Sequence, residues 1–206
     1  MRGRNLEEDI YELFSTEIHI GIRGSGVKAG VIKVATGDPV ISDYESTVFK
    51  AAVRVAHETG VSIITHTEAA TVGPAQQDLF LKFGANPEKI MIGHQNNSEV
   101  IDYALRQLQR PGFYLGFDRV NPLMSTAAED NIVSLVVQGY GNRLMLSHDC
   151  IFVWLGRPGT LPARYAEWYP DFLFKKLLPK MKRAGVTDEQ IRGILVDNPR
   201  RFFAGT

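Results

Sequence analysis

Apolar positions along the chain alternate between two spacings. Short β-branched runs at residues 31–35 and 61–65 have the length and composition of buried strands, and residues 89–93, 113–116 and 143–147 follow the same pattern. Between these runs the apolar spacing widens to three and four. Val48, Ala51, Ala52 and Val55 share a face behind the capping box Ser42-Asp43-Tyr44-Glu45, and Leu79, Phe80 and Phe83 share the next. Ile101, Leu105 and Leu108 follow with Ser98 as cap. Ile132, Leu135 and Val136 come last, behind a second capping box, Thr126-Ala127-Ala128-Glu129. Gly60, Gly84 and Gly139 mark the helix stops. A further helix over residues 5–18 opens the chain, with Asn5 as cap. The alternation βαβαβαβαβ predicts an α/β fold with a parallel sheet. The apolar strands predict burial on both faces of that sheet.

The pattern changes after residue 150. Residues 151–170 place Phe152, Trp154, Tyr165, Trp168 and Tyr169 among glycines and prolines. Such a segment reads as a lid or substrate wall, with Trp154 as a candidate substrate-binding residue, or equally as a packed surface loop. Helical pieces follow at 171–178 and 179–184, then behind the capping box Thr187-Asp188-Glu189-Gln190, and in a last turn started by Asn198-Pro199.

Composition narrows the function. The 206 residues suffice for one domain with a real core. Lys+Arg and Asp+Glu both number 23, so no basic excess points to nucleic acid or a membrane surface. The single cysteine, Cys150, excludes an internal disulfide and fits a reducing compartment. No apolar run approaches the roughly 18 residues of a membrane span. No apolar signal core follows Met1, which makes the cytoplasm the expected location.

Four polar residues stand out because each belongs to a separate strand run: Lys33, His66, His94 and Asp149. Side chains at the C-terminal ends of barrel strands meet above the core. Two imidazoles and one carboxylate suit zinc, iron, manganese or cobalt. Taken singly, each histidine also has a purely structural reading. Lys33, in a strand expected to be buried, must be paired, neutral or modified, because an unpaired buried ammonium is costly. His19 and His57 fall on helix surfaces.

These residues sit in recognisable surroundings. Residues 30–36 (Gly-Val-Ile-Lys-Val-Ala-Thr), Ile64-Thr65-His66-Thr67, Ile92-Gly93-His94, Tyr114-Leu115-Gly116-Phe117-Asp118-Arg119, Leu146-Ser147-His148-Asp149 and the tail at 194–202 resemble the phosphotriesterase family of the amidohydrolase superfamily. The resemblance runs over essentially the whole chain. It implies an incomplete TIM (β/α)8 barrel corresponding to strands four to eight. Residues 1–206 would form one partial domain in which strands one to three are missing. It also implies two divalent metal ions, zinc foremost, bridged by a carboxylated Lys33. His66 and His94 would hold the more exposed ion. Asp149 would hold the deeper one and take the proton from the bridging hydroxide, and Arg119 would line the pocket. The implied substrates are small lactones or other esters, including phosphotriesters.

Two departures from that pattern bear on activity. The family begins with a His-x-His pair on strand one, and this chain has none. It usually has an aspartate three residues after the strand-six histidine, where this chain has Asn97. The alternative expectation is therefore a truncated, non-catalytic fragment that binds one metal or a partner chain. A homodimer in which two open sheets cover each other is a further expectation. A doubly wound binding domain ranks last, because no glycine-rich phosphate loop opens a helix after the first strand.

Overall fold

A computed structural model describes residues 5–37, 39–68, 71–150, 169 and 171–205. Five parallel strands form one sheet in the order β1-β2-β3-β4-β5: Val31–Thr36, Ser62–Thr67, Ile90–Ile92, Tyr114–Phe117 and Leu144–Leu146. Four helices make the crossovers: α2 (Asp43–Thr59), α3 (Gly73–Lys82), α4 (Ile101–Leu108) and α5 (Thr126–Val137). Because strand order follows sequence order, right-handed crossovers place all four helices on one side. Their contacts form the main core, in which Phe49 and Phe80 stack at 4.8 Å beneath Ile32, Ile63, Ile92 and Leu115. No reversal of strand order occurs, which removes the doubly wound alternative.

The opposite face of the sheet is lined differently. Ile64, Met91, Tyr114 and Met145 form a second apolar cluster there, closed by Phe202. Phe202 comes from the last helix, α8 (Asn198–Ala204), which passes under the N-terminal ends of the strands. Its carbonyl accepts hydrogen bonds from Ser62 Oγ and Lys89 Nζ. α8 is reached through a π-type turn at Leu173–Leu177, α6 (Leu178–Arg183), α7 (Asp188–Arg192) and a second π-type turn at Gly193–Asp197. At the other end of the chain, α1 (Leu6–His19) packs on α2 through Lys50–Glu7 and Arg54–Glu8 pairs and an Arg54 guanidinium 3.7 Å from the Tyr11 ring. None of its residues is buried, and such exposed pairs contribute only about 0–1 kcal/mol each.

Several expectations need correction. Burial on both faces holds for β3 and β4 but not for β1. Ile32, Val34 and Thr36 of β1 point to the helices, while Lys33 and Ala35 point to the other face and are exposed, because β1 is an edge strand. Lys33 is therefore not the enclosed ammonium that a buried strand implies. Ser125, not Thr126, caps α5, accepting from the Ala128 N–H. Ser98 does not cap α4, whose cap position is Val100. Asn5 occupies the cap position of α1 without a side-chain bond. The Ser42 and Thr187 capping boxes form as expected.

Candidate active site

The register sets the level of the site. Lys33, Ile64, Met91 and Tyr114 are successive partners across four strands. Lys33 is the one charged member of that layer. Its amine reaches toward the C-terminal ends of the strands and donates to the Thr65 carbonyl at 2.8 Å. Solvent on the open side leaves the residue exposed, yet protein around the amine strips away some of its water. That loss pushes its pKa down; attraction to Asp118 and Asp149 opposes the shift, and the Arg119 charge reinforces it.

Two residues further along β2 stands His66, inside the strand rather than beyond it. His94 follows β3 with φ 59°, a left-handed conformation uncommon outside glycine. The two rings meet edge to face with centroids 4.5 Å apart. His94 is almost wholly buried, at 5% exposure. Its backbone N–H and its Nδ1 both lie 2.8 Å from Asp118 Oδ1. That carboxyl oxygen accepts from both, so in the neutral ring the proton sits on Nδ1 and the lone pair on Nε2. His66 Nε2 lies 3.1 Å from Glu68 Oε2.

Asp118 occupies space that two glycines leave open. A Cβ on Gly93 or on Gly116 would come within 3.0 Å of Asp118 Oδ2. On Gly93 that Cβ would also collide with the Thr65 carbonyl oxygen. Asp149 has φ 50° and accepts from Arg119 Nε at 3.0 Å. The Arg119 backbone N–H donates to Asn96 Oδ1.

The structure thus places His66, His94, Arg119 and Asp149 at the C-terminal ends of β2 to β5, with the Lys33 amine reaching toward them from mid-strand in β1. Trp154 lies outside the described residues, as does nearly all of the aromatic segment. Asn97 belongs to the short 3-10 turn after His94. The carboxyl group that contacts His94 is instead Asp118, which sequence reasoning placed only as the neighbour of Arg119. An acidic residue directly after the apolar run 113–117 was the available signal. Among the described residues, no three His, Cys, Asp or Glu side chains close into a metal-ligand set.

Loss of water holds the imidazoles of His66 and His148 below their ordinary value of 6.5, against the pull of Glu68 on His66 and of Asp171 on His148. The unfolded chain therefore takes up these protons first as pH falls. The stability they contribute is present above about pH 6.5 and declines as pH falls through their lower folded values. Urea midpoints measured at pH 7 and pH 5 should show a smaller acid loss for His66→Gln than for the wild type. Equal losses would show that His66 is not linked to folding in this way.

A parallel sheet whose strands follow one another in sequence order, each linked to the next by a helix, has the architecture of part of a (β/α) barrel. The chain belongs to the Phosphotriesterase family, whose sequence profile matches residues 2–203. An aryldialkylphosphatase of Saccharolobus solfataricus is 34% identical, covering 98% of this chain and 66% of that protein. A phospho-furanose lactonase of Mycoplasmopsis synoviae is 33% identical, covering 89% of this chain and 53% of that protein. The structure of an organophosphorus hydrolase from Deinococcus radiodurans is similar with a TM-score of 0.88 at 39% identity, covering 96% of this chain and 62% of that one. The chain spans less than two thirds of the length of these relatives.

Proposed function

We propose that this chain carries the metal-binding face of a phosphotriesterase-like hydrolase acting on lactones or other small esters. The observation that carries the reading is the His66–His94 pair, with His94 held in one tautomer by Asp118 and the Lys33 amine anchored one strand away. Its five strands would correspond to strands four to eight of a (β/α)8 barrel, and residues 1–206 to one partial domain. Relatives named for aryldialkyl phosphate and furanose lactone chemistry support the substrate class. The single cysteine fits work in a reducing compartment such as the cytoplasm.

In donor type, though not in the spacing seen here, these residues suit divalent cations, zinc foremost: His66 and His94 would hold one, carboxylated Lys33 and Asp149 would hold a second, and bound metal would supply a hydroxide at neutral pH and polarise the substrate oxygen. The rest is the work of the chain's own groups. Asp118 fixes the orientation of the His94 ring through Nδ1. The lowered pKa of Lys33 leaves more of it as the neutral amine that carboxylation requires. Asp149 accepts the proton released on attack, and Arg119 steers its carboxyl through Oδ2.

Purified protein should take up Zn²⁺ or Co²⁺ and open a lactone. Lys33→Ala should lose most of its bound metal, measured by elemental analysis, and short carboxylic acids should restore part of it. Unchanged metal content in Lys33→Ala would exclude the bridging role. A wild-type chain that neither holds metal nor turns over a lactone would reduce the reading to a non-catalytic fragment.

A further inference from the structure

Behind the two histidines lies a set of buried glutamines that the chemistry above does not use. Gln76 of α3 is wholly buried. Its Nε2 donates both to Thr36 Oγ1 at 2.7 Å and to the His66 carbonyl at 2.8 Å, tying the ends of β1 and β2 to one helix. Gln95, next to His94, donates through Nε2 to the Gly93 carbonyl at 2.8 Å, where Thr67 Oγ1 also donates. Gln107 of α4 backs Gln95, donating to its Oε1 at 2.6 Å. The strand-end backbone at each histidine therefore rests on a glutamine amide.

The two helices that carry Gln76 and Gln107 are locked together. α3 has no side-chain cap of its own; instead Tyr103 of α4 accepts from the Gly73 N–H at 2.8 Å through its hydroxyl. Gly73 permits this because a Cβ there would lie 2.5 Å from Gln107 Oε1 and 2.7 Å from the Tyr103 hydroxyl. Burial pushes the Tyr103 pKa up to about 12, so the hydroxyl stays protonated and neutral. The arrangement carries a penalty: Gln76 Oε1 and Gln107 Oε1 are buried without a hydrogen-bond partner. An apolar side chain of similar shape would avoid that desolvation. What glutamine adds at these two positions is its N–H donors, and those are aimed at the His66 carbonyl and at the Gln95 link to Gly93.

We propose that Gln76 and the Gln95–Gln107 pair are positioning residues, which through their bonds to the strand-end backbone fix the spacing between His66 and His94. The proposal rests on the reading of those histidines as ligands, and its test separates the two. Gln76→Met removes the donor and keeps the shape. Gln77→Met is the control: Gln77 is the next residue of α3 and equally buried, but it bonds the Gln107 carbonyl and Arg110 rather than a strand end. The first readout needs no metal: the NMR cross-peak between the His66 and His94 ring protons. It should weaken in Gln76→Met and persist in Gln77→Met at comparable loss of melting temperature. The second is Co²⁺ titration, where Gln76→Met should bind about tenfold more weakly than Gln77→Met. An unchanged cross-peak together with equal Co²⁺ affinities in the two variants overturns the proposal. If the wild-type chain binds no Co²⁺, the hydrolase reading falls and the cross-peak alone decides the positioning role. Should Gln76→Met fail to fold, Gln95→Met puts the same question from the His94 side and is scored in the same way.

Discussion

Gly93→Ala should destabilise the protein by about 3 kcal/mol or more, beyond the usual cost of adding a methyl group to a packed interior. The backbone at Gly93 is not in a left-handed conformation, so the cost is steric. The added Cβ would strike the Thr65 carbonyl oxygen and reach 3.0 Å from Asp118 Oδ2. Relaxation is blocked on both sides. Thr65 is wholly buried, holds the Lys33 amine on its carbonyl and accepts the Gly93 N–H on its hydroxyl. Asp118 is held by two bonds to His94. Moving either neighbour displaces a proposed ligand. Urea unfolding followed by circular dichroism measures the loss, and a midpoint equal to the wild type would show that the strands separate there at little cost.

Asp118→Ala should act on stability and on the site at once. Its removal leaves the buried His94 backbone N–H without an acceptor, a penalty of about 1–3 kcal/mol. It also frees the imidazole to change tautomer and rotate, which should weaken Co²⁺ binding by about 10–100-fold. Asp118→Asn keeps an acceptor oxygen and should fall between the two. Calorimetric titration of the three proteins with Co²⁺ tests the order. Alanine and wild-type proteins of equal affinity would show that the Asp118–His94 contact has no bearing on the metal.

Much of this fold is written in local spacing. Each strand run and each crossover helix appears where apolar periodicity places it, because a buried face imposes its period on the sequence. Helix starts are less legible: Ser125 and Thr126 are both good caps, and only the backbone chooses between them. The exposure of Lys33 follows from β1 being an edge, a property of the whole sheet rather than of residues 31–36. Lys33, His66, His94 and Asp149 were visible because polar groups in apolar runs are conspicuous. Asp118 was not, since its bond to His94 joins residues 24 apart and looks in sequence like a partner for Arg119. Gly93 was equally silent, because a glycine needed for room reads the same as one needed for a turn.

Phe202 sets an order of events for the chain. Its side chain covers Met91, Tyr114 and Met145, and its carbonyl meets Ser62 across 140 positions of sequence. Closing so distant a contact is entropically slow, and during synthesis it waits until residue 202 has left the ribosome. Until then the sheet offers a wet methionine- and tyrosine-lined surface to other chains, so the nascent protein is most prone to aggregate in the interval before its last helix docks.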